Sequence, residues 1–168
     1  TRYKDIMEID GNWQDFSSEP AITIVEPEED FPLPMFIAMD PPVHDEQRKT
    51  VQGSVAPANL KIMEETIRSR TQQVLDDLPV GEQFDWVDRV SIELTTQMLA
   101  TLFDFPFEDR RKLTRWSDVA TGDEESGVVE SEEARQAELY ECLEYFTRLW
   151  HEREENGERN DLVSMLAN

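Results

Sequence analysis

Apolar residues at helical spacing, in segments that end at proline or glycine, limit this chain to a mainly α fold. Leu60, Met63 and Ile67, for example, repeat every three or four residues, which is typical of one buried helix face. The segments with helical character are 2–10, 41–52, 58–79, 88–106, 106–121, 132–154 and 162–166. The one strand candidate is the β-branched run Ala21–Val25, so little β structure is expected.

Segment 88–106 is the most apolar part of the chain. Val90, Leu94 and Met98 lie on one side of a helical projection, while Leu99 and Phe103 lie on another. A helix that is apolar nearly all round is buried on several sides. The segment is therefore predicted to be a central helix.

The charge of the chain excludes one class of partner. The 168 residues include 38 acids and 16 Lys or Arg, for a formal net charge of -22. Binding to nucleic acid phosphates needs a basic stripe, and the sequence has none. Aromatic residues make up 9%, too many for a disordered acidic tail.

Cysteine usage and hydropathy indicate the compartment. Cys142 is the single cysteine, so no disulfide can form within the chain, and a reducing cytoplasm is the expected setting. No apolar run approaches the roughly 20 residues of a membrane helix. The chain starts without a signal peptide and stops inside an amphipathic pattern, which suggests a fragment of a larger domain.

Residues 36–50, FIAMDPPVHDEQRKT, place a histidine and an arginine four residues apart. Asp40 is predicted to cap a helix from about 41 to 52, because proline is favoured in a first turn. His44 and Arg48 then share a helix face and could bind a carboxylate. The alternative is that both only form surface ion pairs with neighbouring acids such as Asp45 and Glu46.

An apolar, proline-rich segment precedes this helix. Residues 20–38 contain four prolines, and long irregular segments of this kind are usually functional. Its apolar end could form the wall of a site for a flat, amphiphilic, carboxylate-bearing ligand, or it could be ordinary core. The residues in question are Leu33, Met35, Phe36, Ile37 and Met39.

Two other candidates are weaker. His151 lies beside Glu152 and Glu154 on an acidic helix, where solvated charge is a better interpretation than a metal site. Cys142 lies on an apolar helix face and is predicted to be a core residue.

The motif MDPPVHDEQRK resembles the C-helix signature of bacterial cytochromes P-450, the haem-thiolate monooxygenases, in which Asp-Pro-Pro-x-His-x-x-x-Arg recurs. The segments that follow resemble helices D to H in order. The resemblance implies that residues 1–168 are the N-terminal and central part of that fold, from the B′ loop through helices C to H. It is greatest to a group that hydroxylates medium-chain alkanes and fatty acids at the terminal carbon.

This resemblance implies a cofactor and its contacts. His44 and Arg48 would bind the propionates of haem b. The family's thiolate loop, its I-helix acid-alcohol pair and its K-helix Glu-x-x-Arg are not in this sequence, and Cys142 does not match the thiolate position. No catalytic residue or iron ligand is therefore expected here, and the 168-residue chain alone is expected to be inactive and to fold poorly.

The resemblance also implies a substrate pocket and partners. The pocket candidates are Leu33, Met35, Phe36 and Ile37, with Leu113, Trp116, Val119 and Ala120 on the F helix. The acidic loop from Gly122 to Glu133 would be a mobile F–G connection. A ferredoxin and its reductase would supply electrons for O2 activation, and Lys49 and Lys61 are candidates for docking the ferredoxin.

Two other functions stay open at this point. The same fold could act on a terpene or a steroid. Composition and periodicity alone also fit a non-enzymatic, acidic helical binding domain.

Overall fold

The computed structural model describes residues 2–20, 35–122, 126–157, 159 and 161–168, and these are mainly helical as predicted. No strand occurs among the described residues, and the strand candidate at 21–25 lies outside them. The helices are α1 Tyr3–Gly11, α2 Val43–Gln52, α3 Pro57–Asp76, α4 Glu93–Phe103, α5 Arg111–Thr121, α6 Glu132–Asn156 and α7 Leu162–Ala167.

Internal contacts divide the chain into two units, Thr1–Gly53 and Ser54–Asn168. The first unit contains α1, α2 and a short 3-10 turn at Phe36–Ala38. None of its described residues is buried. The second unit contains α3 to α7 and a hydrophobic core.

Asp40 does not cap α2, so this part of the sequence prediction is wrong. Its carboxylate accepts hydrogen bonds from the Ser17 hydroxyl at 2.6 Å and from the Ser18 amide at 3.1 Å. The helix begins at Val43, and Pro42 stands at the cap position without a side-chain bond. Asp40 instead ties the start of α2 to a turn more than twenty residues earlier in the chain.

Aromatic rings form the centre of the second unit. Phe105 stacks on Tyr145 with ring centroids 4.7 Å apart, and Trp116 meets Tyr145 edge-on at 5.5 Å. Ala100 and Leu149 are buried in the same cluster. Helices α4, α5, α6 and α7 all contribute to it, so this core holds the second unit together.

The inner face of α6 includes residues with polar tips. Cys142 packs on the core as predicted, and so does Leu149, but the apolar Leu143 is 53% exposed. Tyr145 and Arg153 are buried instead. The buried positions follow the three-four spacing of a helix once these two polar-tipped residues are counted.

Helix α4 buries its small and polar residues rather than its large apolar ones. Thr96, Gln97 and Ala100 are buried, and the Thr96 hydroxyl donates to the Ile92 carbonyl at 2.8 Å. The large apolar side chains are only half-buried among the described residues, so the prediction of burial on several sides is not met within them. These side chains are Leu94, Met98, Leu99, Leu102 and Phe103.

Asp161 caps the last helix. Its side chain accepts from the Ser164 amide at 2.9 Å and from the Ser164 hydroxyl at 2.7 Å. None of the helices in the described ranges combines the length and the hydropathy that a bilayer crossing requires.

Candidate functional site

Helix α2 carries its two candidate ligand-binding side chains on one face. His44 and Arg48 are four residues apart within Val43–Gln52, so their side chains project in the same direction. The helix begins directly after Pro42, and the His44 amide donates to the Asp40 carbonyl at 3.1 Å. The structure therefore brings the two predicted residues together.

The imidazole of His44 is half-buried and already has one partner. Its Nδ1 lies 2.8 Å from Oδ1 of Asp45, and the Phe36 ring lies 6.0 Å from it, centroid to centroid. With Nδ1 beside Asp45, Nε2 is the ring nitrogen left to meet a ligand. The surface ion-pair interpretation thus holds for Nδ1 of His44, while Nε2 remains available to a ligand.

Arg48 differs from His44 because it is exposed and makes no hydrogen bond or ion pair with any residue in the described ranges. Asp45 lies one turn before it and pairs with His44 instead, and Glu46, two residues before it, does not pair with it. An unpaired guanidinium is unexpected in a chain of net charge -22. Its planar set of N–H donors suits a carboxylate from a ligand.

The apolar residues before α2 lie partly in the open. Leu33 falls outside the described residues. Met35 and Ile37 are 44% and 45% exposed, while Phe36 is half-buried beside the imidazole. The 3-10 turn, in which the Ala38 amide donates to the Met35 carbonyl at 2.9 Å, places these side chains next to the start of α2.

The candidates on α5 have a different environment. Trp116 is 5% exposed and Val119 is fully buried, while Leu113 packs against the same core cluster. Ala120 is exposed. The structure therefore uses three of these side chains to pack helices, and only Ala120 presents open surface.

The connection between α5 and α6 is held by an arginine from each helix. Arg115 donates to the Val128 carbonyl at 3.0 Å and to Glu138 at 2.7 Å. Arg135 donates back to the Val119 carbonyl at 3.2 Å. Residues 123–125 lie outside the described ranges. After them, the Val128 carbonyl is held by its hydrogen bond from Arg115.

The remaining candidates lie apart from α2. Lys49 is exposed in the last turn of α2, and Lys61 is exposed on α3. His151 is exposed and lies 2.9 Å from Glu154. No grouping of His, Cys, Asp or Glu able to hold a metal occurs within the ranges that the structure describes.

Cys142 is a half-buried thiol on the inner face of α6, as predicted. Burial raises its pKa, and the charge of Glu141 raises it further. The thiol form is therefore favoured over the thiolate, which is the form that binds metals.

One ion cluster was not predicted from the sequence. Glu93 accepts from Arg110 at 2.8 Å and from Arg111 at 3.0 Å, and Arg111 also reaches Asp88 at 2.6 Å. The partners are 17 to 23 residues apart. The Arg110–Arg111 pair is the one linear signal that could have drawn attention to it.

No protein-family profile matches the chain. Solved structures do. The chain is 45% identical to CYP153D17 from Sphingomonas sp. PAMC 26605, with a TM-score of 0.81 over 98% of this chain and 42% of that one. It is 44% identical to cytochrome P-450-153 from Novosphingobium aromaticivorans, with a TM-score of 0.75 over 97% and 42%.

Curated proteins also match. The chain is 30% identical to linalool 8-monooxygenase from Pseudomonas putida over 133 residues, which cover 79% of this chain and 32% of that protein. It is 29% identical to a steroid C26-monooxygenase from Mycolicibacterium smegmatis over 173 residues, covering 99% and 40%. The chain thus spans well under half the length of the proteins it matches.

Proposed function

The chain belongs to the cytochrome P-450 family, and from that premise we propose that the complete protein is a haem-dependent monooxygenase that inserts one oxygen atom of O2 into a C–H bond. One observation of the structure carries the proposal. Helix α2 places Arg48, without a partner among the described residues, on the same face as His44.

The residues of α2 fit the edge of a haem. A porphyrin is flat and apolar, with two carboxylates on one rim, and α2 offers a guanidinium and an imidazole beside the Phe36 ring. When bound, haem supplies the iron at which O2 is activated. Cys142 packs on the core as a thiol, so we assign no iron ligand to this chain.

The chain's own contribution at this site is to hold a carboxylate. Charge-assisted hydrogen bonds from Arg48 and His44 would be worth roughly 1.5–3 kcal/mol each when water is excluded, and much less when exposed. Covering the site with an apolar ring provides that exclusion. Phe36 orients the imidazole by lying against it.

We further propose that the substrate is a medium-chain alkane or fatty acid, attacked at its terminal carbon. Met35 and Ile37 give an apolar, half-exposed lining before α2, and Ala120 presents open surface on α5. A linear chain offers no polar group along its length, so its affinity comes from burial, at about 0.8 kcal/mol per methylene. Leu33, Phe36, Leu113, Trp116 and Val119 complete the proposed set, with the last three acting through helix packing.

A terpenoid or steroid substrate is the second candidate. It is favoured by the likeness to linalool 8-monooxygenase and to the steroid C26-monooxygenase. Spectral titration of the complete protein with octane, a fatty acid and linalool separates the two candidates. A larger spin-state shift with linalool than with octane would reject the alkane assignment.

We propose a ferredoxin with its reductase as the electron source. Lys49 and Lys61 are exposed and make no ion pair within the described part of the chain, so they could meet an acidic partner. Steering by such charges falls with ionic strength. Electron transfer to a Lys49→Glu variant should therefore be slower at low salt and approach the unmodified protein's rate at high salt.

Replacing Arg48 with leucine in the complete protein tests the haem assignment. Loss of the guanidinium should lower the amount of haem retained per protein after purification, as measured by the pyridine haemochrome and the reduced carbon-monoxide spectrum. The matched control is Arg68→Leu, since Arg68 is 78% exposed on α3 and pairs only with Glu64 at 3.4 Å. Equal haem content in both variants would reject Arg48 as a haem contact.

The same measurement on the unmodified complete protein addresses the non-enzymatic alternative. A haem-thiolate protein should give the reduced carbon-monoxide band of thiolate-bound haem. A complete protein that binds no haem would instead be an acidic helical binding domain.

A further inference from the structure

A π-helical turn precedes α4 and brings two carboxylates onto one side. The turn spans Val87–Ile92, and Glu93 follows it directly. Asp88 and Glu93 are five residues apart. In an α-helix such residues lie roughly 140° apart around the axis, whereas the i to i+5 repeat of a π turn makes them face the same way.

The guanidinium of Arg111 binds both carboxylates. Nη1 of Arg111 donates to Oδ1 of Asp88 at 2.6 Å, and Nη2 donates to Oε2 of Glu93 at 3.0 Å. The same Nη2 also reaches the Asp88 carbonyl at 3.3 Å. Hydrogen bonding to Asp88 raises the pKa of Arg111. With the two acids roughly 140° apart around an α-helix, a single side chain would reach both less easily.

Glu93 is more enclosed than its partners Asp88, Arg110 and Arg111 in the cluster. Its side chain is 17% exposed, and its Oε1 accepts from Nε and Nη2 of Arg110 at 3.1 and 2.8 Å. Gln97 donates to the same oxygen at 2.8 Å. Burial alone would raise the pKa of Glu93, but the hydrogen bonds from Gln97, Arg110 and Arg111 outweigh it and lower the pKa.

The cluster extends to a third helix. Two guanidinium groups lie over the Phe107 ring, that of Arg70 at 5.2 Å and that of Arg110 at 4.4 Å from its centroid. Arg70, on α3, also donates to the Gln97 carbonyl of α4. Side chains from α3, the π turn, α4 and the start of α5 therefore meet at one place.

We propose that this cluster positions α5, and that Asp88, Glu93 and Arg111 are positioning residues for the substrate. The inference rests on the proposed function, in which α5 borders the substrate pocket. Arg110 and Arg111 stand at the first residues of α5, so their contacts fix where that helix begins. An isolated exposed ion pair would fix little, but Glu93 is mostly enclosed and has three donors.

The test uses the complete protein and the variant Arg111→Asp, which places a third acid against Asp88 and Glu93. The rescue variant combines Asp88→Arg with Arg111→Asp, because an arginine at 88 would face Glu93 and the new acid together. Arg68→Asp, which breaks an exposed pair on α3, is the matched control. Arg111→Gln is the milder variant, to be used if Arg111→Asp does not fold.

Two readouts separate positioning from general stability. Amide hydrogen exchange across α5 should become about five- to tenfold faster in Arg111→Asp, and the spectral dissociation constant for the substrate should rise by a similar factor with haem content unchanged. Both values should return towards those of the unmodified protein in the rescue variant. The control should change neither.

Faster exchange across α5 with an unchanged substrate dissociation constant would overturn the positioning role and leave a contribution to the fold alone. Unchanged exchange would show that the cluster does not dock α5. If the complete unmodified protein contains no haem, the proposed function is rejected. The hydrogen-exchange rates would still show whether the cluster holds α5 in place.

Discussion

The two units of the chain differ in whether their described residues are buried. In the first, Thr1–Gly53, none of the described residues is buried. In the second, Ser54–Asn168, all nine buried hydrophobic residues of the described ranges lie between Val74 and Val163. The second unit thus has its own core, whereas no described residue of the first unit belongs to one.

Three arginines of the second unit differ from Arg48 of the first in how they are paired. In the second unit Arg110, Arg111 and Arg115 all pair with acids and connect helices. In the first unit Arg48 has no such partner among the described residues. These three arginines of the second unit hold helices together, whereas Arg48 on α2 makes no such contact within the described residues.

The largest expected effect tests the difference in packing with the same substitution in each unit. Trp116→Ala removes a core ring and should lower the free energy of unfolding of the complete protein by about 3–5 kcal/mol. Trp13→Ala removes a ring that is 41% exposed and should cost less than about 1 kcal/mol. Urea unfolding of both variants measures the difference. Similar losses would show that the first unit is as well packed as the second.

A smaller effect concerns the tyrosines and alkaline pH. Burial, and then the hydrogen bond to Asp109 at 2.9 Å, raise the pKa of Tyr145 from 10.0 to about 12. A raised pKa means that the folded state holds the proton more tightly. The resulting stability is present below pH 10 and is lost as the pH rises towards about 12.

The Tyr145→Phe variant should therefore show a weaker alkaline dependence of stability than the unmodified protein, and a loss of about 1–2 kcal/mol at neutral pH. Tyr3→Phe, at a side chain that is 77% exposed, is the control and should change neither. Unfolding in urea at neutral pH, and at several alkaline pH values up to roughly one unit above the unperturbed tyrosine pKa, gives both quantities. The same alkaline slope in Tyr145→Phe would contradict the assignment.

The smallest expected effect compares two aspartates that each bind a serine. Asp161→Ala removes a buried cap from α7 and should cost about 1–2 kcal/mol. Asp40→Ala removes bonds between exposed groups and should cost about 0.5 kcal/mol. Thermal unfolding of the two variants ranks them. A larger loss for Asp40→Ala would mean that its tie to Ser17 supports more of the first unit than its exposure suggests.

The helices could be predicted from the sequence because apolar residues at three-four spacing indicate a helix. The spacing did not report burial, since Leu60 and Ile67 are 47% and 37% exposed on α3. The errors came where a polar side chain does something that spacing does not show. Tyr145 and Arg153 line the inner face of α6 although each has a polar tip. Asp40 is of a residue type that often caps helices, but its carboxylate accepts a hydrogen bond from Ser17 instead.

The candidate site could be predicted only in part, for a related reason. His44 and Arg48 are four residues apart, so a helix alone brings them together. Whether Arg48 had a partner depended on the orientation of neighbouring acids, which the sequence does not contain. The bridge from Arg111 to Asp88 and Glu93 depends on a local change of helical repeat and on contacts across at least 18 residues.

The π turn leaves a trace that an evolutionary comparison could find. It adds to the helix a residue that a plain α-helix would lack, so a relative from which that residue has been deleted should have its upstream side chains rotated by roughly 100°. The acid equivalent to Asp88 would then face elsewhere, and selection would no longer maintain an arginine opposite it. Loss of the inserted residue and loss of the arginine should therefore coincide along the branches of a family tree.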